Sequence, residues 1–126
     1  MKGKFDMVKI DAIVNMEKME DVKDALQAME VHGMTISQVM GCGAQMGYTQ
    51  TVRGSKVDVN LLPKVKFEVV VSSIKWAEKT VEAIRNAAYT GNKGDGKIFV
   101  YELMDVIRIR TNERGPKAVW EEGQKE

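Results

Sequence analysis

The sequence predicts an α+β domain made of two strand–helix–strand units joined by one long connection. Three observations predict this class: apolar residues alternate in several short stretches, helical stripes lie between those stretches, and residues 41–60 keep no sustained apolar period. With 126 residues, of which 44% are hydrophobic and 29% charged, the chain is long enough and apolar enough for one packed core. We therefore expect a single domain over 1–126.

The first unit opens with a strand over Met7–Val14, where every second residue is apolar. A helix is predicted over Glu20–Met29, because its apolar residues recur at the spacing of one helix face. Gly33 is expected to end that helix, and Thr35–Met40 is predicted as the second strand.

The second unit repeats the order. Alternation returns over Val65–Val71 as a third strand, and Ser72 or Ser73 can cap the helix that follows. Three glycines end that helix, and a fourth strand is predicted over Ile98–Met104. Asp105–Arg110 alternates again and is expected to be extended. The helix stripe is Ala77, Val81, Ile84 and Ala88, and the glycines are Gly91, Gly94 and Gly96.

This order, βαββαβ, matches the ferredoxin-like split βαβ fold with a long loop between strands two and three. Two helices can cover only one face of a four-stranded sheet. The fourth strand nevertheless offers Ile98 and Val100 to one face and Phe99 and Tyr101 to the other. Something else must cover the second apolar face, and another subunit is the simplest cover. The sequence thus predicts an oligomer.

Charge and composition exclude several classes of protein. Nineteen basic residues against eighteen acidic ones leave a net charge of +1, which argues against a nucleic-acid-binding protein. No apolar run approaches the ~18 residues of a membrane span. One cysteine, Cys42, cannot form an internal disulfide, and one histidine, His32, cannot build a histidine-based metal site.

Gly91–Lys97 satisfies the pattern GxxxxGK, but it is not a phosphate loop of the Walker type. Ile98 stands where Ser or Thr should bind Mg²⁺, and the segment follows a helix and opens a strand, the reverse of the required order. Glycines that let backbone N–H groups approach an anion, with Lys97 adding charge, still suit phosphate. A simple glycine turn is the alternative.

Two further segments point to a ligand. Arg108 and Arg110 stand two residues apart, so an extended strand would place both on one face, bridged by a phosphate or by acidic side chains. Structural ion pairing is the alternative reading. Gly41–Gly47 has the wrong spacing for a dinucleotide fingerprint, but it permits close approach of backbone to a ligand.

Two segments together resemble the B-loop and the arginine strand of the PII signal-transduction family, namely Thr90–Val100 and Val106–Thr111. Three further segments fit the pattern of that family: Gly33–Thr35, Gly41–Gly47 and Leu62–Lys66. The resemblance implies a regulator, not an enzyme, that forms a compact trimer. ATP and ADP would bind in the clefts between subunits, with 2-oxoglutarate joining Mg-ATP. A T-loop (41–60), a B-loop (90–97) and a C-loop with a polar tail (111–126) are implied.

The same resemblance implies a cytoplasmic protein whose T-loop contacts partners, either an ammonium-type membrane transporter or an enzyme or regulator of nitrogen metabolism. Bound to a transporter, the protein would lie at the membrane surface. Nucleic acid is not an expected partner.

The resemblance also assigns residues. Gln45 would coordinate Mg²⁺ beside 2-oxoglutarate, and Lys64 would pair with a carboxylate of 2-oxoglutarate. Arg53 would contact the partner, and Ser55 would be a site of phosphorylation. The nucleotide would meet Thr35, Gly41, Gly43, Gln45, Leu62, Pro63, Lys64, Gly94, Asp95, Gly96, Lys97, Arg108 and Arg110.

Departures from the family pattern keep two alternatives open. Ala44 and Met46 replace an arginine and a lysine of the family pattern, and Asn15–Glu17 replaces its Lys-Pro-Phe. The chain could therefore be a nucleotide sensor that does not respond to 2-oxoglutarate and that regulates another transport process. Val57 replaces the tyrosine that is uridylylated in many members, so no hydroxyl is present for that modification. A small phosphate-ester hydrolase of the same fold is the other alternative, although 15–17 supplies no arginine for its anion loop.

Overall fold

The computed structural model describes residues 6–31, 33–42, 48–52, 55–59 and 61–120, with the backbone alone over 48–52 and 55–59. A 3₁₀ turn over Met16–Lys18 separates the first strand from the first helix. The elements are β1 (Val8–Asn15), α1 (Met19–Ala28), β2 (Met34–Cys42), β3 (Tyr48–Val52), β4 (Ser55–Val59), β5 (Leu61–Val71), α2 (Ile74–Ala88), β6 (Gly96–Glu102) and α3 (Pro116–Val119).

Four strands form one antiparallel sheet in the order β2–β5–β1–β6. β1 pairs with β5 on one side and with β6 on the other, so the first strand of the chain lies inside the sheet. This order, with both long helices crossing between strands, is the ferredoxin-like arrangement, and the predicted fold class is confirmed.

The core lies between α1, α2 and one face of the sheet. Alternate residues of β1 and β5 point to this face, and Phe67 at its centre is fully buried. Val22 and Leu26 of α1 and Ile84 of α2 close the core from the other side. Because every second residue on the inner strands is apolar here, the sheet alternation follows directly from the sequence pattern.

The ends of the helices agree with the sequence prediction in one case and differ in another. The Ser73 hydroxyl accepts a hydrogen bond from the Trp76 N–H, which confirms the predicted cap of α2. The prediction that Gly33 ends the first helix is wrong. The chain leaves α1 at Glu30, whose φ of 63° is left-handed, while the Val31 N–H donates to the Leu26 carbonyl.

The segment predicted as a long irregular loop contains strands. β2 continues to Cys42 and β5 begins at Leu61, so the ladder between them reaches both ends of the segment. Between these ends β3 and β4 pair as an antiparallel hairpin. Backbone hydrogen bonds hold such a ladder without any apolar alternation, and β-branched residues such as Thr49 and Val57 favour it.

The predicted extension over Asp105–Arg110 is also wrong. Only Ile107 makes a bridge, to Arg114, and residues 109–111 form a turn. The Asp105 carboxylate accepts hydrogen bonds from the Val106 and Gly115 N–H groups and from the Arg114 guanidinium, so the segment folds back on itself. Alternation alone therefore does not place Arg108 and Arg110 on one strand face.

The helix-free face of the sheet, called here the open face, is polar at its centre. Asp11 is 4% exposed there, with Lys9 and Lys66 at 3.5 and 3.9 Å from its carboxylate, and Glu68 pairs with both lysines. None of the described helices has the length and apolar character needed to cross a membrane.

Candidate functional site

Lys64 lies at the centre of the candidate site. It belongs to β5, points to the open face and is only 5% exposed. Its ammonium Nζ donates one hydrogen bond to the Asn15 side-chain oxygen Oδ1, at 2.6 Å, and another to the Gly94 carbonyl oxygen, at 2.8 Å. One buried cation thus links β5, the end of β1 and the loop before β6.

The charge of Lys64 has no carboxylate partner among the described residues, because both of its hydrogen-bond acceptors are neutral oxygens. A buried charge is expensive unless it is paired, and an ammonium can donate three hydrogen bonds. Two N–H groups are engaged, so the third can meet an anion. The arrangement is chemically suited to a phosphate or a carboxylate.

Gly41 brings the base of the T-loop segment against Lys64. A Cβ atom on Gly41 would lie 3.1 Å from Cγ of Lys64 and 3.7 Å from the Leu62 carbonyl oxygen. Gly41 and Leu62 are directly paired in the β2–β5 ladder. The absence of a side chain at 41 therefore leaves room for the lysine stem, and the two strands that lead to the β3–β4 hairpin meet at this cation.

Thr35 shares the open face with Lys64 but lies further along the sheet. It pairs with Glu68, four residues along β5 from Lys64, which is about 13 Å at the usual rise of a strand. Its side chain is exposed. Pro63 pairs with Met40 and points to the opposite face from Lys64. The open face thus offers an elongated strip with a cation at one end.

The B-loop (90–97) is closed by the Asp95 carboxylate. It accepts hydrogen bonds from the Thr90 N–H at 3.0 Å, from the Gly91 N–H at 3.1 Å and from the Thr90 hydroxyl. These bonds hold the pKa of Asp95 below its ordinary value, and the bond from the Thr90 hydroxyl has the largest effect. Asp95, predicted to contact phosphate, is therefore engaged in shaping the loop.

Gly96 binds the B-loop tightly to β1. Its φ is +116°, and a Cβ atom there would stand 1.8 Å from the Ile13 carbonyl oxygen, which no side chain can tolerate. Lys97 follows with an exposed side chain, and the Gly94 carbonyl accepts the hydrogen bond from the Lys64 ammonium. The structure thus brings Gly41, Leu62, Lys64 and Gly94 together.

A cavity of about 300 Å³ lies beside the B-loop on the helix-covered side of the sheet. Arg85, Tyr89 and Lys97 are among the residues that line it, and the Arg85 guanidinium lies over the Tyr89 ring at 5.6 Å from its centre. The B-loop therefore has on one side a largely apolar cavity, lined also by Arg85, Lys97 and Asp95, and on the other side the Lys64 ammonium.

Arg108 lies against the C-terminal segment. Its Nη2 donates to the carbonyl oxygens of Lys117, at 2.8 Å, and of Trp120, and its Nε is 3.4 Å from the Glu113 carboxylate. Arg110 is exposed in the adjoining turn. The contact between Arg108 and Glu113 is an ion pair of the kind that the sequence offered as the alternative to phosphate binding.

Several predicted residues cannot be placed. Gly43, Gln45 and Arg53 lie outside the described residues, and only the backbone of Ser55, at the start of β4, is described. Sequence reasoning missed Asn15 as a site residue. Its position, a polar residue directly after the apolar alternation of β1, is the signal that could have drawn attention to it.

Comparison with known proteins identifies the family. The family model described as "Nitrogen regulatory protein P-II" matches residues 7–113. The "Nitrogen regulatory protein P-II 1" of Methanothermobacter thermautotrophicus is 56% identical over 113 residues, which are 90% of this chain and 97% of that protein. The P-II protein of Rhizobium meliloti is 50% identical over 113 residues, which are 90% of this chain and 100% of that protein.

Solved structures share the fold. Arabidopsis thaliana PII bound to citrate superposes with a TM-score of 0.74 at 34% identity, with 97% of each chain covered. The B. subtilis GlnK–ATP complex gives a TM-score of 0.71 at 35% identity, covering 89% of this chain and 94% of that one. Because the family model spans most of the chain and the fold agrees, the chain belongs to the nitrogen regulatory protein P-II family.

Proposed function

We propose that this chain is a non-enzymatic signal-transduction regulator that binds ATP or ADP against the open face of the sheet. Family members are regulators rather than enzymes, and one relative of the same fold is an ATP complex. Binding would change the T-loop segment (41–60) and so control a nitrogen-related transporter or enzyme. The whole chain would act as one domain.

The observation that carries this proposal is the buried Lys64 ammonium, held by two neutral oxygens. A phosphate chain would supply the missing negative charge, and charge-assisted bonds contribute ~1.5–3 kcal/mol each. The glycine-rich B-loop next to it would let its backbone approach the phosphates closely around Gly94 and Gly96, and the Lys97 side chain would add a positive charge. Thr35, about 13 Å along the strip, would then lie near the nucleoside end.

A carboxylate effector would use the same cation. The Arabidopsis relative is bound to citrate, a small polycarboxylate, and 2-oxoglutarate carries the same kind of group. Lys64 would pair with one of its carboxylates. We propose Gln45 as the protein ligand of Mg²⁺, since a neutral amide oxygen suits this hard cation. The described residues hold no group of acidic, His or Cys side chains fit for a metal, so phosphate oxygens would supply most ligands.

The assembly we propose is a trimer with nucleotides in the clefts between subunits. β6 is the edge strand beside β1, and Phe99, Val100 and Tyr101 on it are 42%, 57% and 46% exposed. Burying these side chains against another copy would cover apolar surface on both faces of the strand. Arg108 and Arg110 would reach the phosphates from the neighbouring subunit.

The T-loop segment is the proposed output. Gly41 lies beside the stem of Lys64, so a ligand bound at the ammonium would also affect the ladder leading into the β3–β4 hairpin. Arg53 would contact the partner, either an ammonium-type transporter or an enzyme or regulator of nitrogen metabolism. Ser55 would be open to phosphorylation. The protein would be cytoplasmic and would reach the membrane only through a bound transporter.

Isothermal titration with ATP and ADP, each with and without Mg²⁺ and 2-oxoglutarate, tests this function. The unaltered chain should bind both nucleotides. Lys64→Gln, which removes the charge but keeps a polar side chain, should weaken ATP binding by about tenfold or more, the loss of one charge-assisted bond. Lys75→Gln, on the exposed surface of α2, is the matched control and should bind normally.

Three outcomes would contradict the proposal. Failure of the unaltered chain to bind ATP would contradict the proposed function. Normal binding of ATP by Lys64→Gln would contradict the proposed site. Release of phosphate or ADP from ATP at a rate typical of enzymes would favour a hydrolase instead.

A further inference from the structure

Asn15 is the residue that meets the Lys64 ammonium from β1. It is the last residue of that strand and pairs directly with Lys64 in the β1–β5 ladder. Its side-chain oxygen Oδ1 accepts the hydrogen bond from Nζ at 2.6 Å, and its side chain is half-buried. The contact is therefore set by strand register and not by a mobile loop.

We propose that Asn15 is a positioning residue that holds the Lys64 ammonium with a neutral oxygen, so that the positive charge stays available to an anionic ligand. This inference rests on the proposed function, because the anion in question is the phosphate chain of the nucleotide. It goes beyond that function in naming a residue that tunes the site without contacting the ligand.

The physical argument compares what else could occupy position 15. A carboxylate at 2.6 Å would neutralise the ammonium and compete with any incoming anion, since opposite charges at this distance attract strongly in a site shielded from water. An apolar side chain would leave the Gly94 carbonyl as the one acceptor of this buried cation among the described residues, which raises the cost of burying the charge. A neutral acceptor orients the group and preserves its charge.

The backbone around Asn15 makes the contact rigid. Asn15 has extended φ and ψ of −62° and 143°, and the Met16–Lys18 turn follows at once. On the other side of the ammonium, Gly94 belongs to the B-loop, which the close contact of Gly96 with Ile13 attaches to the same strand. Both acceptors are thus held by β1, and the cation is preorganised for a ligand.

The test uses the full chain and two anionic probes, ATP and inorganic tripolyphosphate. Asn15→Asp replaces the amide oxygen by a carboxylate of nearly the same shape. We expect this substitution to weaken the binding of both probes by about tenfold or more. The thermal unfolding temperature of the variant should stay equal or rise, because a new ion pair forms. Asn86→Asp, on the exposed surface of α2, makes the same change of charge away from the site and should alter binding less than twofold.

A double-mutant cycle separates positioning from a structural effect. If Asn15 acts through the charge of Lys64, Asn15→Asp should have almost no further effect on anion binding in the Lys64→Gln background. An equal loss in both backgrounds would mean that Asn15 acts through the fold, and it would overturn the inference. Unchanged binding by Asn15→Asp in the otherwise unaltered chain would also overturn it.

The two probes distinguish this inference from the proposed function. If tripolyphosphate binds and depends on Asn15 but ATP does not bind, the function fails and the role of Asn15 stands. If ATP binds normally to Asn15→Asp, the function stands and the role of Asn15 fails. If the unaltered chain binds neither probe, both are overturned.

Discussion

Asp95 closes the turn between α2 and β6 with a single carboxylate. It accepts hydrogen bonds from the Thr90 hydroxyl and from the N–H groups of Thr90 and Gly91, and the bond from the Thr90 hydroxyl does most to hold its pKa below the ordinary value of 3.8. A carboxyl group with a lowered pKa in the folded state stabilises the fold fully above its ordinary value. That contribution is lost as the pH falls through the lowered pKa.

Asp95→Asn should therefore destabilise the protein most at neutral pH. The difference in thermal unfolding temperature between the two proteins should begin to shrink as the pH falls below about 4, because the carboxyl of the unfolded chain takes up a proton there, and it should be lost once the pH passes the lowered pKa of the folded state. Unfolding followed by circular dichroism between pH 2 and 7 measures this difference. Asp24→Asn, exposed on α1, is the control. A difference that is constant with pH would show that the carboxylate charge plays no part.

Individual residues of the site were predictable only where a motif marks them. The glycines and Lys97 of the B-loop stand out because few other segments of the chain combine them so densely. Lys64 was assigned through family resemblance, and Asn15 was not assigned at all. Its importance comes from the register of β1 against β5, since a shift of one residue would turn it away from Lys64. Register is decided by the whole sheet.

At the level of elements, β6 can start where it does only because residue 96 is glycine. A Cβ atom at this position would lie 1.8 Å from the Ile13 carbonyl oxygen. A residue with a side chain would also have to adopt the φ of +116° that Gly96 has here. Both conditions force β6 away from β1 at the point where the B-loop joins the sheet.

Gly96→Ala should therefore lower the free energy of unfolding by roughly 2–4 kcal/mol, which combines backbone strain with a steric clash. Urea denaturation monitored by circular dichroism measures the change. Gly33→Ala is the matched control, because nothing lies within 4 Å of its Cβ position and its φ is not left-handed; it should change stability little. Equal stability of both variants would show that β6 can shift without loss.

The elements with a clear apolar period were predictable, and those held by backbone or charge were not. β1, α1, the inner part of β5 and α2 all pack an apolar stripe on the core, and that stripe is visible in the sequence. The sequence of the β3–β4 hairpin shows no such stripe. The turn around Arg108 depends on Asp105, whose three hydrogen bonds bend a segment that alternation alone had predicted to be straight.

At the scale of the whole molecule, the edge strand β6 predicts self-association. Val100 points to the side of the helices yet is 57% exposed, and Phe99 and Tyr101 are exposed on the open face. Placing a charge at Val100 would put it in the proposed interface, where it would have no partner.

Light scattering on the unaltered chain should give three times the mass of 14.1 kDa at micromolar concentration. Val100→Asp should shift the protein towards the monomer, since burying an unpaired carboxylate opposes assembly. Asn86→Asp, which adds the same charge on the outer surface of α2, should remain a trimer. A monomeric unaltered chain would contradict the proposed assembly and the clefts that depend on it.

The position of β1 in the middle of the sheet also has a consequence for synthesis of the chain. Val8 pairs with Glu102, so β1 leaves the ribosome long before its second neighbour exists. Translation at ~5–20 residues per second would separate the two strands by about 5–20 seconds. During that interval β1 carries an unpaired, apolar strand edge of the kind that aggregates. The strand around which the sheet is organised is thus the first to be made, and it must wait longest for its second neighbour.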